Sequence, residues 1–277
     1  MTVVRFAAYR QYDAVRTEAS NAMMALLAGA QLASHMLQLT EGSERLLPEV
    51  FPRVPHIGRF NLTSEAARRI LDAADTHLGA MSVPYALSIH EDYLKTCLGL
   101  LERGKRLPAG TAEKTKFYQQ HRQVSWGTGG AFSAESLMQL ETLRLMRNCT
   151  IHEGGRASQA LVTQLRGWSA GAESGWVRLA KRSPRYLRVG APVSFGHAEL
   201  ILTLAVTKGL AREANELLQP ALPRSLWADL VVEDLISGDP HVVRAPDTLR
   251  RARGLARHHY APLHLGDLEI AEGLARG

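Results

Sequence analysis

Apolar residues recur at the three- and four-residue spacing of an α-helix along most of this 277-residue chain. The spacing predicts helices over residues 9–39 and 134–153, and Ser133 is placed to cap the second of these at its N-terminus. No run of alternating apolar and polar residues is long enough to build a sheet. We therefore predict an all-α fold, with a turn or one short hairpin near residues 186–196 as the single place where strand pairing is considered.

The predicted helices group into a bundle with N-terminal helices and a C-terminal helical extension. Pro220 and Pro223 interrupt the last long helical pattern, so we place a boundary there. The prediction is one helical domain over residues 1–223, followed by an extension over residues 224–277.

Composition limits the classes of site that the chain can carry. The formal charge of +6 is compatible with a polyanionic partner such as nucleic acid. The two cysteines, Cys97 and Cys149, form no Cys-x-x-Cys pair, so neither a zinc site nor a disulfide framework is expected. We expect no metal and no cofactor, and a cytoplasmic location.

The N-terminal region is rich in apolar residues without looking like a targeting segment. The first residues lack the apolar core of a secretory signal. The stretch from Ala22 to Leu39 is interrupted by Gln31, Ser34 and His35, whereas a membrane span needs about 20 mostly apolar residues. We expect a buried or partner-facing helix and no membrane association.

The segment most informative about function is Arg147-Asn148-Cys149-Thr150-Ile151-His152. In an unbroken helix Arg144, Asn148 and His152 share one face, with Arg147 to one side of it. Arginine can hold a phosphate, and histidine can move a proton near neutral pH, which together suit phosphodiester chemistry.

The spacing alone is weak evidence, because the chain repeats it between Arg253 and His258. What distinguishes the first occurrence is Asn148, the long helix before it, and the glycines Gly154 and Gly155 after it, which should end that helix.

These residues resemble the HEPN superfamily of helical-bundle proteins. Its hallmark is an Arg, commonly followed by Asn or another polar residue, with His four to six residues beyond the Arg. Arg147, Asn148 and His152 match that pattern, and His90-Glu91-Asp92-Tyr93-Leu94 resembles the acidic-aromatic helix that often precedes it. The resemblance covers about residues 65–220.

The resemblance implies a metal-independent endoribonuclease whose active site is composed of two motifs across a homodimer. His152 would take the proton from a ribose 2′-hydroxyl, or donate one to the leaving oxygen, while Arg147 and Asn148 stabilise and orient the phosphate. From the residues themselves, Arg144 on the same helix face could support the motif. Glu91 could support it through an ion pair with Arg147, or it could be a solvated carboxylate on the surface of its helix. The products would carry 2′,3′-cyclic phosphates, and a role as a toxin or phage-defence effector, with a possible antitoxin or regulatory partner, would follow.

Two alternatives stay open. The chain could be a catalytically silent HEPN-like module that binds RNA or a protein, or the motif could be accidental in an unrelated helical protein. A related subgroup is silenced by adenylylation of a Tyr two residues after the motif His; Gly154 stands there in this chain, so that control is not expected.

A basic segment downstream is the candidate for gripping RNA. Trp176 and Tyr186 are interleaved with its cations, giving charges for phosphates and rings for bases. A solvated connector between helices is the alternative. A second basic cluster near residues 250–257 is followed by His258-His259, which lacks a partner for metal binding at helical spacing. The five candidate RNA-binding residues are Arg178, Lys181, Arg182, Arg185 and Arg188.

Overall fold

The structure is a computed structural model that describes residues 2–59, 61–239 and 247–276. Within those ranges the chain is all-α and contains no β-strand, which confirms the predicted fold class. The α-helices are α1 (Ala7–Leu37), α2 (Leu47–Val50), α3 (Ser64–Asp72), α4 (Ala74–Arg103), α5 (Thr111–Lys114), α6 (Gln120–Thr128), α7 (Ala134–His152), α8 (Gln159–Arg166), α9 (Ala170–Ala180), α10 (His197–Ala221), α11 (Arg224–Gly238), α12 (Thr248–His259) and α13 (Asp267–Arg276).

Short polar side chains set the starts of several helices, as the sequence predicts for Ser133. The hydroxyl of Thr63 accepts the backbone N–H of Ala66 at the start of α3, at 3.2 Å. Ser133 does the same for Ser136 at the start of α7, also at 3.2 Å. Pro84 lies inside α4, which continues on both sides of it although proline has no backbone N–H to donate to the helix.

Of the turn or hairpin predicted near residues 186–196, the turn forms, with the N–H of Ala191 donating to the carbonyl of Arg188 at 3.0 Å, and the hairpin does not. The backbone of residues 190–193 instead bonds to residues 155–157, and Arg156 and Pro192 make an isolated antiparallel bridge. The segment cannot fold back on itself because its extended part is already paired with the turn that follows α7.

Contacts divide the chain into two compact units, and each division falls inside a long helix. Unit 1 comprises residues 1–16, 87–141 and 205–277, and unit 2 comprises residues 17–86 and 142–204. Residues 224–277, predicted as an extension, therefore belong to unit 1.

Unit 1 is held together around the N-terminal segment. The buried side chain of Asn215 on α10 accepts the N–H of Val4 at 2.9 Å and donates to the carbonyl of Val4 at 2.7 Å. Tyr12 stacks on Tyr93 with ring centroids 4.7 Å apart. The chain's first residues are thus part of the core of this unit.

The buried carboxylate of Asp234 is the centre of a second set of hydrogen bonds in unit 1. It accepts two hydrogen bonds from Arg10 on α1 and one from the Tyr260 hydroxyl. Burial and the neighbouring carboxylate raise the pKa of that hydroxyl well above its ordinary value. α11, α12 and α13 pack against one another in the same unit.

Unit 2 contains the second half of α7 together with α8 and α9. The indole N–H of Trp168 donates to the Thr142 hydroxyl at 2.9 Å, which joins the segment after α8 to α7. Gly79 allows close packing, since a Cβ there would lie 2.9 Å from the backbone of Phe195. The buried hydroxyl of Ser34 donates to Asp72, linking α1 to α3.

The part of α1 in unit 2 presents large apolar side chains to the outside. The helical stretch Ala7–Thr40 is long and apolar enough to cross a membrane by length and composition, because it contains an 18-residue window with a mean hydropathy of 1.2, of which 17% is buried. Length and composition are also met by helices that never cross a bilayer, so the expected lack of membrane association stays a prediction. The exposed apolar residues of this helix are Met24, Leu26, Leu32 and Met36, with Leu39 just after its end.

Candidate functional site

The motif residues occupy the last turns of α7, which runs unbroken from Ala134 to His152. Because the helix is continuous, Arg144, Asn148 and His152 share one face, as the spacing predicts. The helix ends where the glycine pair was expected to end it: Gly154 has φ +58° and Gly155 has φ +73°. Both conformations are left-handed, which glycine adopts without strain.

Exposure increases along this face towards the end of the helix. Arg144 is 6% exposed, Arg147 and Asn148 are half-buried, and His152 is exposed. Ile151, a large apolar side chain beside His152, is 52% exposed. The exposed imidazole of His152 is accessible to a polymeric substrate, whereas Arg147 and Asn148, earlier on the helix, are half-buried.

The turn that follows His152 is organised around Cys149. The Cys149 carbonyl accepts the N–H groups of Glu153 and Gly155 at 3.1 and 3.0 Å. Its thiol, 1% exposed, accepts the backbone N–H of Ser158 at 3.4 Å. Cys149 therefore acts as the internal anchor of the motif, a role that the spacing of the motif residues does not indicate.

The chain beyond this turn pairs with the segment that precedes α10. Val193 donates its N–H to the carbonyl of Gly155, and Ala157 donates to Ala191, both at 2.8 Å. The guanidinium of Arg156 donates to the Gly190 carbonyl at 3.1 Å. The end of the motif helix and residues 190–193 are therefore fixed to each other within unit 2.

Glu91, the predicted supporting carboxylate, is half-buried on α4. Its part of α4 belongs to unit 1, and Arg147 belongs to unit 2. The predicted ion pair between them stays a prediction. Its neighbour His90 is 1% exposed, and its Nε2 lies 3.1 Å from Nε2 of His121.

The five candidate RNA-binding cations do not form one free basic surface. Arg182 pairs with the carboxylate of Glu199 at 2.8 Å, and Arg185 pairs with Glu173 at 2.5 Å. The ion pair and a hydrogen bond from Ser183 lower the pKa of Glu173, and the carboxylate raises the pKa of Arg185. Two of the five cations are thus bound to carboxylates of the protein.

The other three cations differ in their placement. Lys181 ends α9 in a left-handed conformation, with φ +59°, and its ammonium donates to the carbonyl of Arg178 at 2.9 Å. Arg178 and Arg188 are exposed. They are the members of the segment best placed to meet a phosphate backbone.

The two aromatic rings of this segment differ in their exposure to solvent. Tyr186 is 85% exposed, so its ring is available for stacking on a base. Trp176 is fully buried, and its ring lies against Trp168 with centroids 5.1 Å apart. The prediction that Trp176 stacks on RNA from the surface is wrong, because it falls on the inner face of α9 rather than in a connector.

A cavity of about 230 Å³ lies in unit 2 beside these residues. Trp176, Arg182 and Glu199 contribute to its wall, as do Met146 and Val193. Sequence reasoning missed Glu199 because its only local signal, a Glu three residues after Gly196, indicates a helix N-terminus: its carboxylate accepts the Gly196 N–H at 2.9 Å.

Within the described ranges no three His, Cys, Asp or Glu side chains cluster as metal ligands. His258 and His259 lie with ring centroids 4.4 Å apart. Burial, with the nearby positive charges of Arg10 and His258, lowers the pKa of His259. The expectation that the protein uses no metal stays a prediction.

Comparison with family models, with characterised proteins and with solved structures gives no match for this chain. The likeness to the HEPN superfamily accordingly rests on the motif residues and their helical setting.

Proposed function

We propose that the protein is a metal-independent endoribonuclease of the HEPN kind that cleaves RNA by attack of a 2′-hydroxyl on the adjacent phosphate. The observation that carries the proposal is the placement of Arg147, Asn148 and His152 on one end of α7, with the imidazole exposed and the guanidinium half-buried. An imidazole at such a position can accept or donate the proton that the reaction moves. A guanidinium at the same end of the helix can neutralise charge developing on the phosphate.

The second imidazole that the reaction uses would come from a second copy of the chain. One His152 acts as the base and the partner's acts as the acid, which a composite homodimer site provides. The exposed apolar side chain of Ile151, beside His152, is the kind of group that packs against a partner. Action in the cytoplasm as a toxin or phage-defence effector, with or without a neutralising protein, belongs to the same proposal.

The test is incubation of the purified chain with total RNA and with tRNA in the presence of EDTA. We expect cleavage by the wild type and no cleavage by Arg147→Ala or His152→Ala. His77→Ala, which removes an exposed histidine from α4 in unit 2, is the matched control and should cleave normally. Cut ends should be 2′,3′-cyclic phosphates, and DNA should resist; equal cleavage by His152→Ala would refute the proposal.

The alternative is a catalytically silent RNA-binding module. Exposed Arg178 and Arg188, with the exposed ring of Tyr186, favour RNA binding whether or not cleavage follows. RNA that binds to the wild type without being cut, under conditions where His152→Ala binds equally, would support this alternative.

A further inference from the structure

A short stretch of unit 1 carries exposed cations and exposed aromatic rings. The stretch runs from Lys114, at the end of α5, to Trp126 on α6, and it contains no Asp or Glu. Neither the cleavage motif nor the basic segment of unit 2 includes any part of it. We call its exposed basic and aromatic residues the α6 surface: Lys114, Lys116, Phe117, Tyr118, Arg122 and Trp126.

The rings of the α6 surface are open to solvent. Trp126 is 69% exposed, whereas the other three tryptophans of the chain are at most 4% exposed. Tyr118 and Phe117 are 54% and 41% exposed, and their ring centroids lie 5.9 Å apart in an edge-on arrangement. Large apolar groups that a fold leaves in solvent within one short segment are a mark of a binding surface.

Two of the rings and one cation share a helix face. A single 3₁₀ turn, Phe117–Gln119, leads directly into α6, so the backbone is helical from Phe117 to Thr128. Tyr118, Arg122 and Trp126 are each four residues apart. Side chains at that spacing are neighbours on a helix, with about 5–6 Å between successive Cβ atoms. A guanidinium therefore lies between two exposed rings.

The cations of the α6 surface are not neutralised by the protein itself. Within the described ranges Lys114, Lys116 and Arg122 form no ion pair with a carboxylate. Arg182 and Arg185 of unit 2, in contrast, are each bound to a glutamate. Three unpaired positive charges in a stretch without acidic residues attract a polyanion.

The inner face of α6 holds the surface in place. Val124 is fully buried, and the buried ring of His121 stacks on His90 with centroids 5.2 Å apart. A Cβ added at Gly127 would lie 2.9 Å from the side chain of Leu107, so the helix is closely packed there. Because the backbone is already fixed, binding at the outer face costs little of its conformational freedom.

We propose that the α6 surface binds single-stranded RNA, with bases stacked on Tyr118 and Trp126 and with phosphates beside Arg122 and the two lysines. The inference rests on the ribonuclease function above and deepens it, since it names unpaired RNA as the substrate class. Proteins that bind single strands combine aromatic platforms for the bases with positive charge along the backbone. The surface belongs to unit 1 and the motif to unit 2, so the surface is additional to the motif.

The combination of rings with cations favours this partner over two others. In an RNA duplex the flat faces of the bases are covered by their stacked neighbours, so exposed rings find nothing to stack on. An acidic protein would neutralise the cations, but its carboxylates offer no aromatic face to the rings. Unpaired RNA supplies phosphates and open base faces together.

The test is fluorescence anisotropy with a labelled oligouridine and with a labelled RNA duplex of the same length, in EDTA. Every protein carries His152→Ala in the full chain, so that the RNA stays intact during the titration. Trp126→Ala should weaken binding of oligouridine about tenfold, since one stacking platform contributes about that much affinity. It should change binding of the duplex less than about twofold, because the duplex has no base face to lose.

Two further variants assign the effect to the ring. Trp126→Phe keeps an aromatic platform and should retain most of the affinity. Tyr85→Ala, which removes a 52% exposed ring from α4 in unit 2, is the matched control and should bind as its parent does. The melting temperature of each variant separates a loss of binding from misfolding.

The cations are tested by salt dependence. Lys116→Ala combined with Arg122→Ala should make the slope of log affinity against log salt shallower by about 0.7 for each phosphate contact that is lost. Lys95→Ala, which removes an exposed lysine from α4 in unit 1, is the control and should leave the slope unchanged. An unchanged slope in the double variant overturns the role of the cations.

The outcomes separate this proposal from the one above. If Trp126→Ala binds oligouridine as its parent does, or loses the duplex equally, the single-strand surface is overturned even where the wild type cleaves RNA. Binding of polyglutamate with the same dependence on Trp126 also overturns it, in favour of an acidic protein partner. A loss of oligouridine confined to Trp126→Ala, with no cleavage by the chain that retains His152, supports the surface and overturns the ribonuclease assignment.

Discussion

The guanidinium of Arg182 lies 2.8 Å from the carboxylate of Glu199, whose side chain on α10 is only 3% exposed. The arginine side chain itself is 60% exposed, so the pair sits at the edge of the cavity in unit 2 with its acidic member inside. Breaking it would leave a buried carboxylate without its counter-charge, which is costly. The first role of Arg182 is therefore to neutralise this buried carboxylate, and contact with RNA would compete with that role.

That relationship predicts unequal roles within the basic segment. Combined Arg178→Ala and Arg188→Ala should weaken RNA binding for every sequence, because both side chains are exposed. The slope of log affinity against log salt should become shallower by about 0.7 for each phosphate that the variant no longer neutralises. Filter binding at several salt concentrations measures both effects.

Arg53→Ala is the control, since it removes an exposed arginine from another part of unit 2. It should leave affinity and salt slope unchanged. If it weakens binding as much as the double variant does, the segment has no special role.

A composite active site that uses the imidazole of both copies predicts that an inactive chain suppresses an active one. When His152→Ala is mixed and exchanged with the wild type, each mixed dimer carries a single His152 and lacks either the base or the acid. Activity per wild-type chain should therefore fall towards zero as the variant is added in excess, following the share of wild-type homodimers that remains. Activity that stays proportional to the amount of wild-type chain while mixed dimers form would argue for independent sites.

The left-handed turn after the motif predicts a specific cost for adding a side chain. Gly155→Ala should destabilise by about 1–2 kcal/mol, because φ there is +73° and an L-residue is strained in that region. The nearest atom to an added Cβ is 3.8 Å away, so the effect comes from the backbone and not from crowding. Urea unfolding measures it.

Gly209→Ala supplies the opposite case. Gly209 lies inside α10 with no atom within 4 Å of an added Cβ. Alanine there should stabilise by about 0.5–1 kcal/mol, since glycine is a poor residue inside a helix. If alanine lowered the free energy of unfolding at both positions, the loss at Gly155 could not be assigned to the left-handed turn.

Asn215 predicts how strongly the N-terminal segment is held. Asn215→Ala removes both bonds to the fully buried Val4 and should destabilise by about 2–6 kcal/mol, since each buried backbone group left unsatisfied costs about 1–3 kcal/mol. Asn61→Ala, at an exposed position, should change little. Hydrogen exchange at Val4 would report directly; continued protection in Asn215→Ala would contradict the assignment.

Glu269 predicts a pH dependence of stability in unit 1. Its hydrogen bonds from Arg224 and from the backbone N–H of Gly266 lower its pKa from 4.5 to about 2. A carboxyl whose pKa is lower in the folded chain stabilises above its unfolded pKa and loses that effect as pH falls towards 2. Glu269→Gln should therefore reduce the free energy of unfolding near neutral pH, by less than ~1 kcal/mol for so exposed a pair, and the difference should shrink in acid.

Glu272→Gln, an exposed carboxyl on the same helix, is the control for removal of charge alone. Denaturant unfolding at several pH values between about 2 and 7 covers the transition. If the difference in the free energy of unfolding between wild type and Glu269→Gln grew in acid, its pH dependence would have the wrong sign. The stabilising role of the Glu269 carboxylate would then be refuted.

Helix content and helix ends are the features that the sequence predicts well. Ser133, Thr63 and the Gly154-Gly155 pair act through contacts within a few residues, so a local pattern carries their information. The prediction fails where distant segments meet. Nothing near Val193 in the sequence indicates that its N–H bonds to Gly155, and the hairpin considered there was wrong for that reason.

The candidate site divides in the same way. The shared helical face of Arg144, Asn148 and His152 follows from spacing alone once α7 is continuous. The burial of Trp176 and the pairing of Arg182 with Glu199 depend on which side of α9 and α10 faces inward. Charge and aromatic content identify a basic segment, but they do not distinguish a cation that is exposed to solvent from one that forms an ion pair within the protein.

Because both thiols are buried, this chain is convenient for spectroscopy with site-directed labels. Cys97 and Cys149 are buried, and burial raises the pKa of the Cys97 thiol to about 12, which disfavours the reactive thiolate. Maleimide dyes and nitroxide spin labels should therefore leave the native chain unmodified. A single cysteine introduced at an exposed position of α1 would then carry the only label, and distances between labels in two copies could be read against a silent background.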